Sequence, residues 1–134
     1  MSNEVVRVRD VMRAGMSKVD GMATVQDAIH LMKETDARCL IVNKRDETDE
    51  YGVLLVSDIA RKVLAQNLSP ARINVYEIMA KPVISVHPSM RIHHCAQLFD
   101  RFNLSRAPVI DDGGEVVGIV SYSHLVLSGL CRDV

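Results

Sequence analysis

The stretch YGVLLVSDIARK, residues 51–62, runs from Gly52 through a series of apolar positions into Ser57 and Asp58, with two basic residues following. A short polar side chain at such a point reads as a helix cap, because it accepts from the free N–H groups of the first helical turn. The stretch also has an echo. GIVSYSH, residues 118–124, aligns Gly52-Val53-Leu54 with Gly118-Ile119-Val120 at an offset of 66. Working outward, an offset of 67 aligns Asp10-Val11-Met12 with Glu77-Ile78-Met79, Val19 with Val86, Val25 with Ile92, Ala28 with Cys95 and Leu31 with Leu98. Between these blocks, Arg38 to Val42 matches Arg106 to Ile110 at 68, and indels of this size belong in turns. A chain of 134 residues with this self-similarity is two copies of one unit.

Each copy predicts β-α-β-β-α. Thr24 and Asp27 have capping-box spacing and open a segment whose apolar Ala28, Ile29, Leu31 and Met32 recur at helical intervals. The short apolar runs Cys39 to Val42 and Val53 to Val56 flank the polar KRDETDEY, as a strand pair with an acidic loop would, and the second copy tightens this loop to Asp111-Asp112-Gly113-Gly114. Ser57 to Ala65 and Ser123 to Leu130 predict closing helices, and QNLSPARIN links the copies. The expected organisation is one α+β module, with repeat one at about 8–65, a linker at 66–74 and repeat two at about 75–130.

Composition narrows the function classes. Hydrophobic residues make up 48% and charged residues 25%, the balance of a globular rather than a disordered chain. A formal net charge of −1 offers no footprint for a phosphate backbone, so no nucleic-acid partner is expected. Cys39, Cys95 and Cys131 are odd in number and form no CxxC pair, which argues against a disulfide framework or zinc knuckle and fits a reducing cytoplasm. No apolar run approaches the roughly 20 residues of a membrane helix, and the charged N-terminal MSNEVVRVRD does not read as a signal peptide. His93 and His94 are adjacent on a predicted helix and so point about 100° apart, the wrong geometry for chelating one metal. The chain displays no Gly-x-Ser-x-Gly elbow, Walker loop or HExxH, and catalysis is not expected of it.

Taken together, the Asp10-Val-Met12 and Glu77-Ile-Met79 openings, Ile84-Ser-Val86, Arg106-Ala-Pro-Val-Ile-Asp111, Gly52 to Asp58 and Gly118-Ile-Val-Ser121 resemble the cystathionine-beta-synthase (CBS) domain pair, or Bateman module. The resemblance implies two repeats packed sheet to sheet about a pseudo-twofold axis, with clefts at their junction that take adenosine derivatives such as AMP, ADP, ATP, NAD or S-adenosylmethionine. It further implies a homodimer, and a regulatory role exerted on a partner protein, as yet unidentified, that carries any catalysis.

Site residues follow from the same resemblance. Asp58 falls where the family places a carboxylate that accepts from both ribose hydroxyls, and an ionised carboxylate has the acceptors to hold a cis-diol. Arg106 is implied in the same cleft as Asp58, where its planar fork of donors would meet phosphate. The second cleft would hold His124, Ser121 and Arg38. Ser57 beside Asp58, Cys39 after Arg38, Ala107 and Pro108 after Arg106, Val83 and Ile84 before the second Ser-Val, and Ser123 beside His124 complete the implied ligand set.

This sequence departs from the family's Gly-hydrophobic-x-Thr/Ser-x-x-Asp in both copies. Copy one keeps Asp58 but has Leu55 in place of the hydroxyl; copy two keeps Ser121 but has His124 in place of the acid. An imidazole hydrogen-bonds a hydroxyl, or meets phosphate when protonated near its ordinary pKa of about 6.5, but lacks two acceptors for a diol. The Asp58 cleft is therefore expected to be the better nucleoside site, and the His124 cleft weaker, altered or empty. The bland readings are a helix cap for Asp58 and solvated edges for the arginines. Loss of both clefts would leave a dimerisation or interaction module.

Overall fold

The computed structural model describes residues 5–81 and 84–130. The chain divides into a continuous unit, Ser17–Val83, and a discontinuous unit made of Met1–Met16 with Ile84–Val134. The opening segment of each sequence copy therefore folds with the body of the other copy, a regrouping that the repeat alone does not announce.

In the continuous unit, β2 (Lys18–Val19), β3 (Cys39–Val42) and β4 (Gly52–Leu55) form a sheet in that order. β2 runs parallel to β3, with Lys18 opposite Ile41, while β3 and β4 are antiparallel from Cys39↔Leu55 to Val42↔Gly52. The parallel step requires a crossover, supplied by helix α2 (Val25–Thr35). Thr24 starts this helix as the sequence predicts: its hydroxyl accepts from the Asp27 amide at 3.1 Å, and the Asp27 carboxylate accepts from the Thr24 amide at 3.3 Å. Asp36 ends it in the left-handed conformation at φ 51°. Val25, Ala28 and Met32 bury one face of α2 against Leu40, Val42 and Leu54. All four residues of β3 are buried, which explains its unbroken apolar run. Helix α3 (Val56–Ile59) leaves β4 directly and widens into a π-helix over Ala60–Leu64. A 3-10 turn at Val75–Glu77 then closes the unit. Val75 is fully buried, and the amide of Val53 donates to the Ala80 carbonyl at 3.1 Å. The acidic loop between β3 and β4 is tied down by Asp49, which pairs with Lys81; that hydrogen bond holds its carboxyl well below the usual carboxylate range.

The discontinuous unit repeats the design with its own materials. Its sheet has the order β1 (Arg13–Ala14), β6 (Val116–Ser121), β5 (Arg106–Ile110), both pairings antiparallel. The Ile84-Ser-Val86 segment contributes one parallel bridge, Val86↔Val109. Helix α1 (Val8–Val11) is sewn to the 88–90 segment by Val8 N–H donating to Met90 O at 2.8 Å and Arg9 N–H to Pro88 O at 2.9 Å. Helix α4 (Ile92–Phe102) ends on Asn103 at φ 54°, the counterpart of Asp36. Phe99, Val8, Val109 and Val120 are fully buried in this core, each worth about 1.5–3 kcal/mol of transfer free energy. A π-helix, His124–Leu130, closes the unit as Ala60–Leu64 follows β4 in the other.

The glycines of the two hairpins mark the same event in each unit. A Cβ on Gly118 would lie 2.6 Å from the Arg13 carbonyl oxygen and 2.9 Å from Met12 Sδ; one on Gly52 would lie 2.7 Å from Met79 Sδ and 3.3 Å from the Ala80 carbonyl oxygen. The aligned pairs Met12/Met79 and Arg13/Ala80 thus occupy matching places, and only hydrogen on the facing strand leaves room for them.

Candidate ligand-binding site

Two strand-to-helix corners carry most of the predicted polar residues. At the continuous unit's corner, β4 ends on Leu55 and Asp58 is the third residue of α3. Asp58 is only 4% exposed, the one buried charged residue among those described. Its Oδ2 accepts from the Leu55 amide at 3.0 Å, and its Oδ1 accepts from Arg61 Nη2 at 3.2 Å. Capping is thus part of its role, from inside the first turn rather than from the cap position. An ionised carboxylate has about four lone-pair sites, so two bonds leave acceptor capacity on both oxygens. Arg38, exposed, precedes β3, and its carbonyl accepts from the Val56 amide at 3.1 Å, fixing the corner to the neighbouring strand. Ser57 is exposed beside Asp58.

The other corner has the same frame and different chemistry. β6 ends on Ser121, directly opposite Arg106 in the β5–β6 ladder, and the Tyr122 amide donates to the Ser105 carbonyl at 3.2 Å. Edge-to-face contact between Phe99 and Tyr122, centroids 5.3 Å apart, anchors the turn. His124 substitutes for Asp58 in a literal sense: its Nδ1 accepts from the Ser121 amide at 3.1 Å, the bond that Asp58 Oδ2 makes to Leu55. Accepting at Nδ1 places the proton of the neutral ring on Nε2. Burial, followed by the charges of Arg106 and Arg13, lowers the His124 pKa below its ordinary value. In the neutral ring, accepting at Nδ1, the Nε2–H is the donor that His124 presents.

The structure brings Arg106 together with Ser121 and His124 in one unit, and Arg38 with the Asp58 corner in the other. Arg13 is not among the residues that the sequence pattern marks. It reaches the corner because β1 pairs with β6, Arg13 opposite Ile119. The aligned Ala80 gives the available signal, an unmatched charge at an otherwise repeated position. The side chains of Ala107, Pro108 and Cys39 are buried in their sheets, so packing already occupies them. Ile84 and Ser123 are exposed, and Val83 lies outside the described residues.

A helix followed by an antiparallel strand pair and a closing helix, present twice, fits the CBS pair that the sequence resembles. The family model for the CBS domain matches residues 8–65 and 75–128, and the chain belongs to that family. Among solved structures it is similar to the hexameric CBS-CP12 protein from bloom-forming cyanobacteria, with 40% identity and a TM-score of 0.88 over 93% of this chain and 72% of that one. It is also similar to the CBS domain pair of protein MJ0100 in complex with 5′-methylthioadenosine and S-adenosyl-L-methionine, with 26% identity and a TM-score of 0.80 over 97% of this chain and 100% of that one. An uncharacterised protein of Methanopyrus kandleri is 28% identical over 122 residues, 90% of this chain; the match spans 61% of that relative's length. No helix among the described residues is long and apolar enough to cross a membrane.

Proposed function

We propose that this CBS pair is a regulatory module that binds an adenosine-containing ligand, of the AMP, ADP, ATP, NAD or S-adenosylmethionine class, and modulates a partner protein. The observation that carries the reading is Asp58: a carboxylate 4% exposed, held by two hydrogen bonds, with acceptor capacity to spare for a ribose diol. The adenosyl ligands of the similar MJ0100 pair support the ligand class. Regulation follows by population shift, to the extent that ligand binds one arrangement of the module more tightly than another. Catalysis belongs to the partner.

Titration calorimetry with AMP and 2′-deoxy-AMP on wild type and Asp58→Asn tests the ribose role. Wild type should bind the deoxy ligand more weakly, and Asp58→Asn should lose about 1.5–3 kcal/mol on AMP but little on the deoxy ligand, whose bond is already missing. Independent, additive losses would remove Asp58 from the site. A second reading, a dimerisation module without nucleotide, is favoured by Leu55 standing where the family pattern has a hydroxyl; it predicts no binding of either ligand.

A further inference from the structure

We propose that His87, held by Asp112, activates the hydroxyl of Ser89 as a nucleophile that takes one acyl group from an activated ester: a covalent modification site in the discontinuous unit, independent of the adenosine reading.

Three side chains carry it. Ser89 Oγ lies 2.6 Å from His87 Nδ1, and His87 Nε2 lies 2.9 Å from Asp112 Oδ1. The tautomer follows from a neighbour, because the Ser89 backbone N–H, which can only donate, points to Nδ1 at 3.1 Å. Nδ1 therefore carries a lone pair, the proton of the neutral ring is on Nε2, and that N–H donates to the Asp112 carboxylate. A hydroxyl facing an imidazole lone pair, with the ring oriented by a third group at its far nitrogen, is the arrangement that activates a serine. Asp112 is presented by the β5–β6 loop, which Asp111 fixes by accepting from the Gly113 and Glu115 amides at 2.9 and 3.0 Å. The His87 ring is 40% exposed and Ser89 half-buried, so solvent reaches the turn. Arg7 Nη1 donates to the Ser89 carbonyl at 2.6 Å, which brings a guanidinium with further N–H donors to the nucleophile's own residue, where an oxyanion would form.

The first copy shows how little of this the turn itself requires. At the aligned positions Asp20 and Met22, the Asp20 Oδ1 accepts from the Met22 amide at 2.8 Å, the same closure with no imidazole and no hydroxyl. In the second copy the ring closes the turn and also faces a nucleophile. In the acylation, Ser89 Oγ bonds to the ester carbonyl carbon as its proton passes to His87 Nδ1. The adduct then collapses with loss of the C–O bond to the leaving group, which departs as a phenolate and takes the proton back from Nδ1. Ser89 ends as an ester and the donor as a phenol, with nothing oxidised or reduced.

Treatment of the full chain with p-nitrophenyl acetate, followed by peptide mass spectrometry over time, tests this on wild type, Ser89→Ala, His87→Asn and Asp112→Ala. Wild type should acetylate Ser89 about a hundredfold faster than the exposed Ser105, the lower end of what a positioned general base supplies. His87→Asn keeps an acceptor for the Ser89 amide, as Asp20 does for Met22, and should remove that advantage; Asp112→Ala should reduce it by a smaller factor. Nitrogen NMR shifts should place the proton of His87 on Nε2 in wild type and move the ring toward the Nδ1–H tautomer in Asp112→Ala, a change that a merely structural carboxylate would not cause. Unchanged lysine acetylation and matching circular-dichroism melts show that the variants stay folded and meet the same reagent. A Ser89 rate no greater than that of Ser105, a rate unaffected by His87→Asn or by Asp112→Ala, or a wild-type proton on Nδ1 overturns the proposal, and none of these results touches the adenosine reading.

Discussion

At the scale of single residues, the chain puts two different answers into one position. Asp58 and His124 both accept from the amide three residues back, so each closes the first turn of its helix, yet one does so with a buried carboxylate and the other with an imidazole. Their substitutions should separate closure from binding. Asp58→Asn retains an acceptor for the Leu55 amide and gives up the Arg61 pair, whose arginine is 70% exposed; the loss of stability without ligand should stay within about 1 kcal/mol, as read by urea denaturation. His124 gives a pH signature. Its folded pKa lies below the unfolded value of about 6.5, so the unfolded state takes up more protons as pH falls, and the stability present above pH 6.5 declines as the solution is acidified through the folded pKa. His124→Asn keeps an acceptor and removes the titration. Wild type should lose more melting temperature between pH 7.5 and 5.5 than the variant; parallel losses would show that His124 is not the group responsible.

At the scale of elements, the two-residue strand β1 matters more than its length suggests, because it delivers Arg13 to β6 and needs Gly118 to do so. Gly118→Ala drives a methyl group into a backbone carbonyl, whereas Gly52→Ala meets chiefly the flexible end of Met79. Gly118→Ala should cost about 1–3 kcal/mol, more than Gly52→Ala. Equal costs in denaturant melts would mean that the opening strands do not pack as described. The capping box at Thr24, both hairpins and the closing helices are legible in the sequence, since caps, alternating runs and turn residues are local signals. The exchange of opening segments is not. Arg13–Ala14 is too short to show a period, and its partner lies more than a hundred residues away. The grouping of Arg106 with Ser121 is out of reach of simple counting, because a bulge between Val109 and Ile110 shifts the β5–β6 register by one; counted outward from Ile110↔Val116, Arg106 would face Val120.

At the scale of the whole molecule, the surface and the ligand should act together. Leu64, Leu127 and Leu130 are each more than 70% exposed, apolar area of the kind that self-association covers, and the similar CBS-CP12 protein is hexameric. Light scattering should give a homodimer rather than the 14.9 kDa monomer, and a monomer at micromolar concentration would remove subunit geometry as the regulatory output. The ligand claim is tested most directly by a thermal-shift titration of the purified chain against AMP, ADP, ATP, NAD and S-adenosylmethionine. At a concentration about 100 times its dissociation constant, a specific ligand should add about 2.7 kcal/mol of stability. A melting temperature unmoved by all five at millimolar concentration would contradict the account.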